Sequence, residues 1–154
     1  MQSGAVPAAT IVTPNQFELE YLAGVPVTDL ASALRAVEKV QALGPEIVLV
    51  TSFVRTDGEP GTMELLAADR ATAYLITTPK LDLSVNGAGD ATAAIFFGQW
   101  IRSKQIDVAL SRTTNAIFQI LSLTHTTGSR EIQLIAAQDA IANPPDEFQP
   151  VRIR

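Results

Sequence analysis

The run EIVLVT, at residues 46–51, constrains the fold of this chain more than any other stretch. Its four central residues are all apolar, which is typical of a strand covered on both faces, whereas a half-exposed strand would alternate apolar and polar residues. Helical patterns stand before and after the run, and a sheet backed by helices accommodates such a strand. The sequence therefore predicts an α/β fold.

The other helices and strands are predicted from the spacing of apolar residues, from capping residues, and from the positions of glycine and proline. The helix that begins at Asp90 is apolar almost all round, so we expect it to be buried, with Phe96, Phe97 and Trp100 in the core. Residues 78–89 are expected to form an irregular loop, and the last residues a tail strand. The predicted strands are 10–13, 62–67 and 72–77, the last two forming a hairpin, and the predicted helices are 15–22, 30–43, 90–102, 106–123 and 130–142.

The chain has 154 residues, enough for one domain with a core of its own. It contains no repeat and no internal linker, so we treat residues 1–154 as a single domain segment. Only one or two of the predicted strands have a buried, parallel character, whereas a sheet commonly has about five or six strands. We expect either a small unusual domain or half of a larger one.

The formal net charge is −5, and no cluster of lysine or arginine is present. This argues against a nucleic-acid or anionic membrane partner, but not against a nucleotide, which needs only a local anion site. No apolar run approaches the roughly 18–20 residues that span a bilayer, and the first residues lack the basic region of a signal peptide. Without cysteine, disulfides and thiolate chemistry are excluded, and we expect a cytoplasmic protein.

The stretch SVNGAGDATAAIFFG, at residues 84–98, carries a glycine turn that leads into a helix. The amides of Gly87, Ala88 and Gly89 would have no helical acceptor, so with the helix dipole they can bind a phosphate without a basic side chain. Asp90 would repel a resting phosphate, but it could take a proton from a hydroxyl that attacks phosphorus. The alternative is that Asp90 is an N-cap beside an ordinary loop. The motif alone leaves both interpretations open.

The stretch TPNQFELEYL, at residues 13–22, places Asn15 and Glu18 three residues apart at a predicted helix start. This spacing is typical of a capping box, in which Asn15 caps the helix and Glu18 reaches back to it. The same two side chains could face the phosphate site and hold a hydrated Mg²⁺, an ion that prefers oxygen ligands and retains several waters. The two interpretations are compatible.

Four motifs follow one another along the chain: TPNQFELEYL, IVLVTS, NGAGDATAA and EIQLIAAQDAIANP, the last at residues 131–144. Together they resemble the C-terminal half of the pyridoxal kinase family, within the ribokinase-like superfamily, and the resemblance covers nearly the whole chain. It implies the C-terminal portion of a three-layer α/β/α fold with an incomplete central sheet. It also implies ATP-dependent phosphorylation of the 5′-hydroxymethyl group of pyridoxal, a reaction of vitamin B6 salvage.

The resemblance implies a role for each motif residue. Asp90 would be the catalytic base and a contact to the substrate, beside an anion hole formed by the amides of residues 87–89. Asn15 and Glu18 would organise Mg²⁺ through water, and Glu18 would also contact ATP. A monovalent cation is a further candidate cofactor. The other ATP contacts would be Thr51, at the end of the IVLVT strand, and the loop residues Thr78, Pro79, Lys80 and Leu81.

Two polar residues have open roles within this resemblance. Lys80 could neutralise a phosphate, although a lone loop lysine is more often exposed to solvent. Asn115, on the helix predicted at 106–123, either lines a pocket for adenine or occupies an exposed helix position.

Members of the family are about twice as long as this chain, and their N-terminal half supplies the first strands, most of the pyridoxal pocket, the lid and the dimer contacts. We expect homodimers for the full-length family, and self-association of the isolated segment through its exposed sheet edge and apolar faces. Two alternatives to a pyridoxal kinase segment remain. One is another ribokinase-like kinase, acting on a hydroxymethylpyrimidine or a sugar. The other is a truncated nucleotide-binding fragment without catalytic competence.

Overall fold

The computed structural model describes residues 4–154 as a five-stranded sheet with helices on both faces, which confirms the predicted α/β architecture. The strands lie side by side in the order of the chain. The elements are α1 (Ala5–Ala8), β1 (Ile11–Val12), α2 (Gln16–Ala23), α3 (Leu30–Ala42), β2 (Ile47–Phe53), β3 (Thr62–Ala68), β4 (Ala73–Pro79), α4 (Ala88–Ser103), α5 (Ile106–Thr127), α6 (Gln138–Ala142) and β5 (Val151–Arg152).

The sheet contains one parallel pair of strands and three antiparallel pairs. β1 runs parallel to β2, with Ile11 opposite Ile47, and α2 and α3 form the connection between them. β3 and β4 form the predicted hairpin, and β5 pairs with β4 as the predicted tail strand. Among the described residues β1 pairs only with β2, so one edge of the sheet is a strand of two residues.

Hydrophobic cores lie on both sides of β2, as its uninterrupted apolar run predicts. Val48 and Val50 belong to the core formed with α2 and α3, whereas Ile47 and Leu49 belong to the core formed with α4 and α5. All four side chains are at most 4% exposed, and burying each of them contributes roughly 1.5–3 kcal/mol. β2 is therefore the centre of the molecule, and its two cores fix the position of its carboxyl end.

The helix α4 is less buried than its sequence predicts. Phe96 lies in the core, and Trp100 is half-buried with the Lys104 ammonium 4.1 Å from its ring centroid. Phe97, however, is 53% exposed and Ile101 is 47% exposed. The prediction that α4 is buried all round, with Phe97 in the core, is wrong, because the sheet and α5 pack against only one side of the helix.

The segment that follows α5 is not the helix predicted at 130–142. Only α6 within it is helical. Before α6, Glu131 forms a bridge with Asn86, and the Gln133 amide donates a hydrogen bond to the Thr124 hydroxyl at 3.1 Å. These contacts with neighbouring segments satisfy backbone groups that a helix would have paired internally, and they outweigh the helical propensity of the sequence.

The longest helix is α5, with 22 residues, ten of which are buried. Its buried face includes three consecutive polar residues, Thr113, Thr114 and Asn115. Within residues 4–154, no helix combines the length and the apolar character needed to cross a membrane.

Candidate active site

Asn15 and Glu18 form the capping box at the start of α2. The Glu18 amide donates to the Asn15 side-chain oxygen at 2.9 Å, and the Asn15 amide donates to Glu18 Oε2 at 2.9 Å. This geometry confirms the capping interpretation. Glu18 is exposed, and the capping box occupies only one of its two carboxylate oxygens.

The capping box lies beside the carboxyl end of β2. Asn15 and Thr51 form an isolated parallel bridge, and the Thr51 amide donates to the Pro14 carbonyl at 2.9 Å. Thr51 is only 7% exposed. The fold thus brings together two motifs that are far apart in the sequence, at the end of a central strand, where α/β sheets commonly bind ligands.

Ser52, immediately after Thr51, has an unusual backbone conformation. Its φ of 54° lies in the left-handed region, and the pairing of β2 with β3 shifts register between Val50 and Phe53. The left-handed conformation costs a residue other than glycine roughly 1–2 kcal/mol. Bulges and strained residues of this kind are concentrated near functional sites.

The glycine turn leads directly into α4. Gly87 is the N-cap residue, with a φ of 88°, and the helix begins at Ala88. The interpretation of Asp90 as the N-cap is therefore wrong: Asp90 is the third helical residue, it is exposed, and no side chain caps the helix. The first amides of a helix have no acceptor within it, and this is the arrangement that an anion site requires.

The residues that follow α5 pack against the glycine turn. Glu131 forms its bridge with Asn86, the residue before the turn. A Cβ atom placed on Gly87 would lie 3.7 Å from Ile132 Cγ2. The motif EIQLIAAQDAIANP therefore supports the turn by direct contact, although most of it is not helical.

A cleft of about 280 Å³ opens beside the start of α4. It lies between the carboxyl end of β2, strands β3 and β4, the loop that follows β4, and one face of α5. The lining is mostly apolar, which is typical of sites that bind small molecules. The lining residues are Ser52, Met63, Leu65, Thr78, Pro79, Leu81, Leu83, Ser84, Val85, Ala88, Thr114, Ile117, Phe118 and Leu121.

Several residues singled out in the sequence meet at this cleft, and others do not. Asp90 and the rest of the glycine turn adjoin Ala88 in the chain but are outside the lining. The capping box is connected to the cleft through Thr51 and Ser52, and only Ser52 of these lines it. Lys80 is exposed and also outside the lining. The members of the predicted set that line the cleft are Thr78, Pro79, Leu81 and Ala88.

The prediction that Asn115 occupies an exposed helix position is wrong. It is 1% exposed, and it is not among the residues that line the cleft. Its side-chain nitrogen donates to the Phe148 carbonyl at 2.9 Å, and its oxygen accepts from the amides of Glu147 and Phe148 at 3.0 and 2.9 Å. Asn115 therefore fastens the tail to α5.

A partly buried ion pair holds the loop after β2 against the hairpin. Arg55 Nε donates to Glu64 Oε2 at 2.6 Å, and Arg55 Nη2 donates to Glu64 Oε1 at 2.9 Å. The Thr77 hydroxyl donates to the same carboxylate at 3.3 Å. The hydrogen bond and the charge of Glu64 raise the pKa of Arg55 above its ordinary value. This bidentate geometry ties the loop that follows Ser52 to strand β3.

The described residues contain no group of three or more His, Cys, Asp or Glu side chains that could hold a metal ion. Mg²⁺ does not need such a group, because it binds through one or two carboxylates together with water and substrate phosphates. The Glu18 carboxylate, with one oxygen outside the capping box, is compatible with that chemistry. The residues present fit a hydrated Mg²⁺ shared with a phosphate.

Ser52 and Thr114 line the cleft, although neither was a candidate from the sequence. Nothing in the sequence marks the bulge that puts Ser52 there. Thr114 could have been found, because the polar residues 113–115 interrupt the apolar face of a predicted helix.

A family model described as phosphomethylpyrimidine kinase matches residues 1–134. Among curated proteins, pyridoxal kinase PdxY of Rubrobacter xylanophilus is 56% identical over 153 residues, which are 99% of this chain and 52% of that protein. Pyridoxal kinase PdxY of Corynebacterium diphtheriae is 44% identical over 97% of this chain and 53% of its own length. The chain thus spans about half the length of the curated relatives it matches.

Among solved structures, pyridoxal kinase from Leishmania donovani in complex with ADP and ginkgotoxin superimposes with a TM-score of 0.88 at 25% sequence identity. The superposition covers 97% of this chain and 52% of that one. The three-layer architecture found here is therefore part of a larger fold in that structure.

Proposed function

The chain belongs to the phosphomethylpyrimidine kinase family, and from this membership we propose that it is the part of a pyridoxal kinase that binds ATP and carries the catalytic base. The proposed reaction transfers the γ-phosphoryl group of ATP to the 5′-hydroxymethyl group of pyridoxal. We propose pyridoxal as the substrate because the relatives at 56% and 44% identity are both pyridoxal kinases. We also propose that residues 1–154 form a single domain segment.

The cleft beside α4 is the proposed site for ATP. Its apolar walls suit a nucleotide, and the related Leishmania donovani structure is a complex with ADP. Thr78 and Pro79 were expected in a loop but are the last residues of β4. In this proposal they and Leu81, in the loop that follows β4, cover the nucleotide. Lys80, exposed beside them, and Thr51 contact its phosphates.

Asp90 is the proposed general base and a contact to the substrate. Its carboxylate accepts the proton of the hydroxymethyl group while the oxygen of that group forms a bond to the γ-phosphorus. The bond from this phosphorus to the bridging oxygen breaks, and ADP leaves. Asp90 stands in the first turn of α4, directly after the amides of residues 87–89. These amides donate hydrogen bonds that stabilise the charge on the phosphoryl group during transfer.

Asn15 and Glu18 are the proposed residues for Mg²⁺, which they would hold through water. When bound, the ion neutralises phosphate charge. The capping box keeps both side chains in fixed positions at the end of β2, so that Glu18 can orient a hydrated ion without a change in its own conformation.

Phosphomethylpyrimidine kinase activity is the second candidate function, and the description of the matching family model favours it. Both activities would use the same ATP site and the same base. A panel of pyridoxal, pyridoxine, pyridoxamine and a hydroxymethylpyrimidine, each tested with ATP and Mg²⁺, distinguishes them by relative kcat/KM.

The test of the catalytic role compares Asp90→Asn with Asp139→Asn, which changes an exposed carboxylate on α6 outside the site. Since the chain spans about half of its relatives, both the 154-residue chain and a fusion behind the N-terminal half of the Rubrobacter xylanophilus relative are assayed. We expect Asp90→Asn to lower turnover of the fusion by roughly 10²–10⁴-fold while ATP affinity stays the same. Asp139→Asn should change neither quantity.

Three results would contradict parts of this proposal. Near-normal turnover in Asp90→Asn would show that Asp90 is not the base. A fusion that phosphorylates only the pyrimidine would favour the second candidate. If the fusion binds ATP but phosphorylates none of the substrates, the chain is a nucleotide-binding fragment without catalytic competence.

A further inference from the structure

Two neighbouring hydroxyls on α5 are buried without a hydrogen-bond partner. Thr113 is 0% exposed and Thr114 is 2% exposed. Within the part of the chain that the structure describes, Oγ1 of each has no partner. Other threonines of the same helix bond to its backbone, as Thr124 does by donating to the Ile120 carbonyl at 2.7 Å. The two hydroxyls are therefore exceptions within α5.

A buried hydroxyl without a partner destabilises the folded state, because it has given up its hydrogen bonds to water. Such a group in a native protein calls for an explanation, and one explanation is a ligand that completes its hydrogen bonding. The positions of the two threonines differ in this respect. Thr114 lines the cleft beside α4, although its Oγ1 atom is itself buried in the wall, whereas Thr113 does not line the cleft.

The rest of the cleft wall near Thr114 is apolar. Ile117, Phe118 and Leu121 continue the same face of α5, and Met63 lies on the wall formed by the sheet. A flat heteroaromatic ring fits between apolar walls of this kind, and its polar edge then needs a hydrogen-bonding group. A threonine hydroxyl can both donate and accept, so it can pair with a ring nitrogen or with an exocyclic amino group.

We propose that the Thr114 hydroxyl, turned into the cleft by rotation about χ1, is a specificity-determining contact to the base of the nucleotide. This inference rests on the proposed function, because it assumes that the cleft takes ATP. The Thr114 hydroxyl would then bond to the base and not to the phosphates.

The experiment measures the binding of ATP and of inorganic tripolyphosphate, which has no base, to the 154-residue chain by titration calorimetry in the presence of Mg²⁺. The variants are Thr114→Val, which keeps the shape and removes the hydroxyl, Thr114→Ser, which keeps the hydroxyl, and Thr113→Val as the matched control. Melting temperatures without ligand are measured for all of them.

We expect both valine variants to melt about 2–4 °C higher than the parent chain, because each removes an unsatisfied buried hydroxyl. Thr114→Val alone should bind ATP roughly three- to tenfold more weakly. Its affinity for tripolyphosphate should be unchanged, and Thr114→Ser should retain most of the ATP affinity.

Other outcomes overturn the inference in distinguishable ways. If the parent chain binds ATP and Thr114→Val binds it equally well, the hydroxyl does not contact the base, and the proposed function stands. The same conclusion follows if Thr114→Val weakens tripolyphosphate as much as ATP, or if Thr114→Ser is as weak as Thr114→Val. If the parent chain does not bind ATP, the titration is repeated with the fusion behind the N-terminal half of the Rubrobacter xylanophilus relative. If the fusion does not bind ATP either, the proposed nucleotide site fails, and the inference fails with it.

Discussion

Replacing Gly89 by alanine separates the stability of α4 from the binding of phosphate. Gly89 is the second helical residue, and a Cβ atom placed on it meets nothing within 4 Å. Alanine is favoured over glycine in a helix by up to about 1 kcal/mol. For a chain of this size that corresponds to a rise of roughly 2–4 °C in melting temperature. On grounds of stability alone, Gly89→Ala should be an improvement.

The proposed anion site predicts the opposite effect on function. A phosphate oxygen that accepts from the Gly89 amide must approach the backbone closely, and the added methyl group obstructs that approach. Loss of one hydrogen bond to a charged group costs about 1.5–3 kcal/mol. We therefore expect ATP affinity to fall by about tenfold or more.

Gly98→Ala provides the matched control for this measurement. Gly98 lies in the same helix, away from the turn, and a Cβ atom on it also meets nothing within 4 Å. Denaturation and ATP titration of both variants should show that both are stabilised and that only Gly89→Ala loses affinity. Equal ATP affinity in the two variants would refute the argument that phosphate approaches the backbone at Gly89.

Two further predictions concern other parts of the chain. Asn115→Ala should lower the free energy of unfolding by about 3 kcal/mol, because three hydrogen bonds to Glu147 and Phe148 are lost inside the protein. Urea denaturation measures this loss. An unchanged midpoint would show that Asn115 does not hold the tail. The backbone and side chain of Ser32 lower the pKa of Asp29 below its ordinary value of 3.8, so its stabilising effect is complete above that pH and is lost as the pH falls through the lowered value. Asn is also a good N-cap residue, but it does not titrate. The urea midpoint of Asp29→Asn should therefore fall less steeply with decreasing pH than that of the parent chain. An equally steep fall in both would contradict the stabilising role of the Asp29 carboxylate.

The features that follow from local rules were predictable from the sequence. The capping box of α2 depends on residues three apart, and the burial of β2 on both faces depends on one uninterrupted apolar run. In both cases the residues that determine the structure lie within a few positions of one another in the sequence. The hairpin of β3 and β4 is local in the same sense.

The features that depend on distant contacts were not predictable. Residues 130–137 have a helical pattern, but Glu131 is bound to Asn86, which a local pattern cannot reveal. Phe97 looks like a core residue by composition, and its exposure depends on which side of α4 the sheet covers. The left-handed Ser52 likewise depends on the register between β2 and β3. Of the candidate site, the motifs and the polar residues 113–115 of α5 were visible in the sequence, but the apolar part of the cleft wall that α5 forms was not.

The pairing of β5 with β4 bears on the order in which the molecule folds. The β3–β4 hairpin closes a short loop and can form early, whereas β5 reaches Tyr74 and Leu75 only after α4, α5 and the tail have been placed. Until then the outer edge of β4 presents unpaired backbone groups to other chains. Association between partly folded molecules therefore competes with docking of the tail, which Asn115 holds against α5 once it is in place.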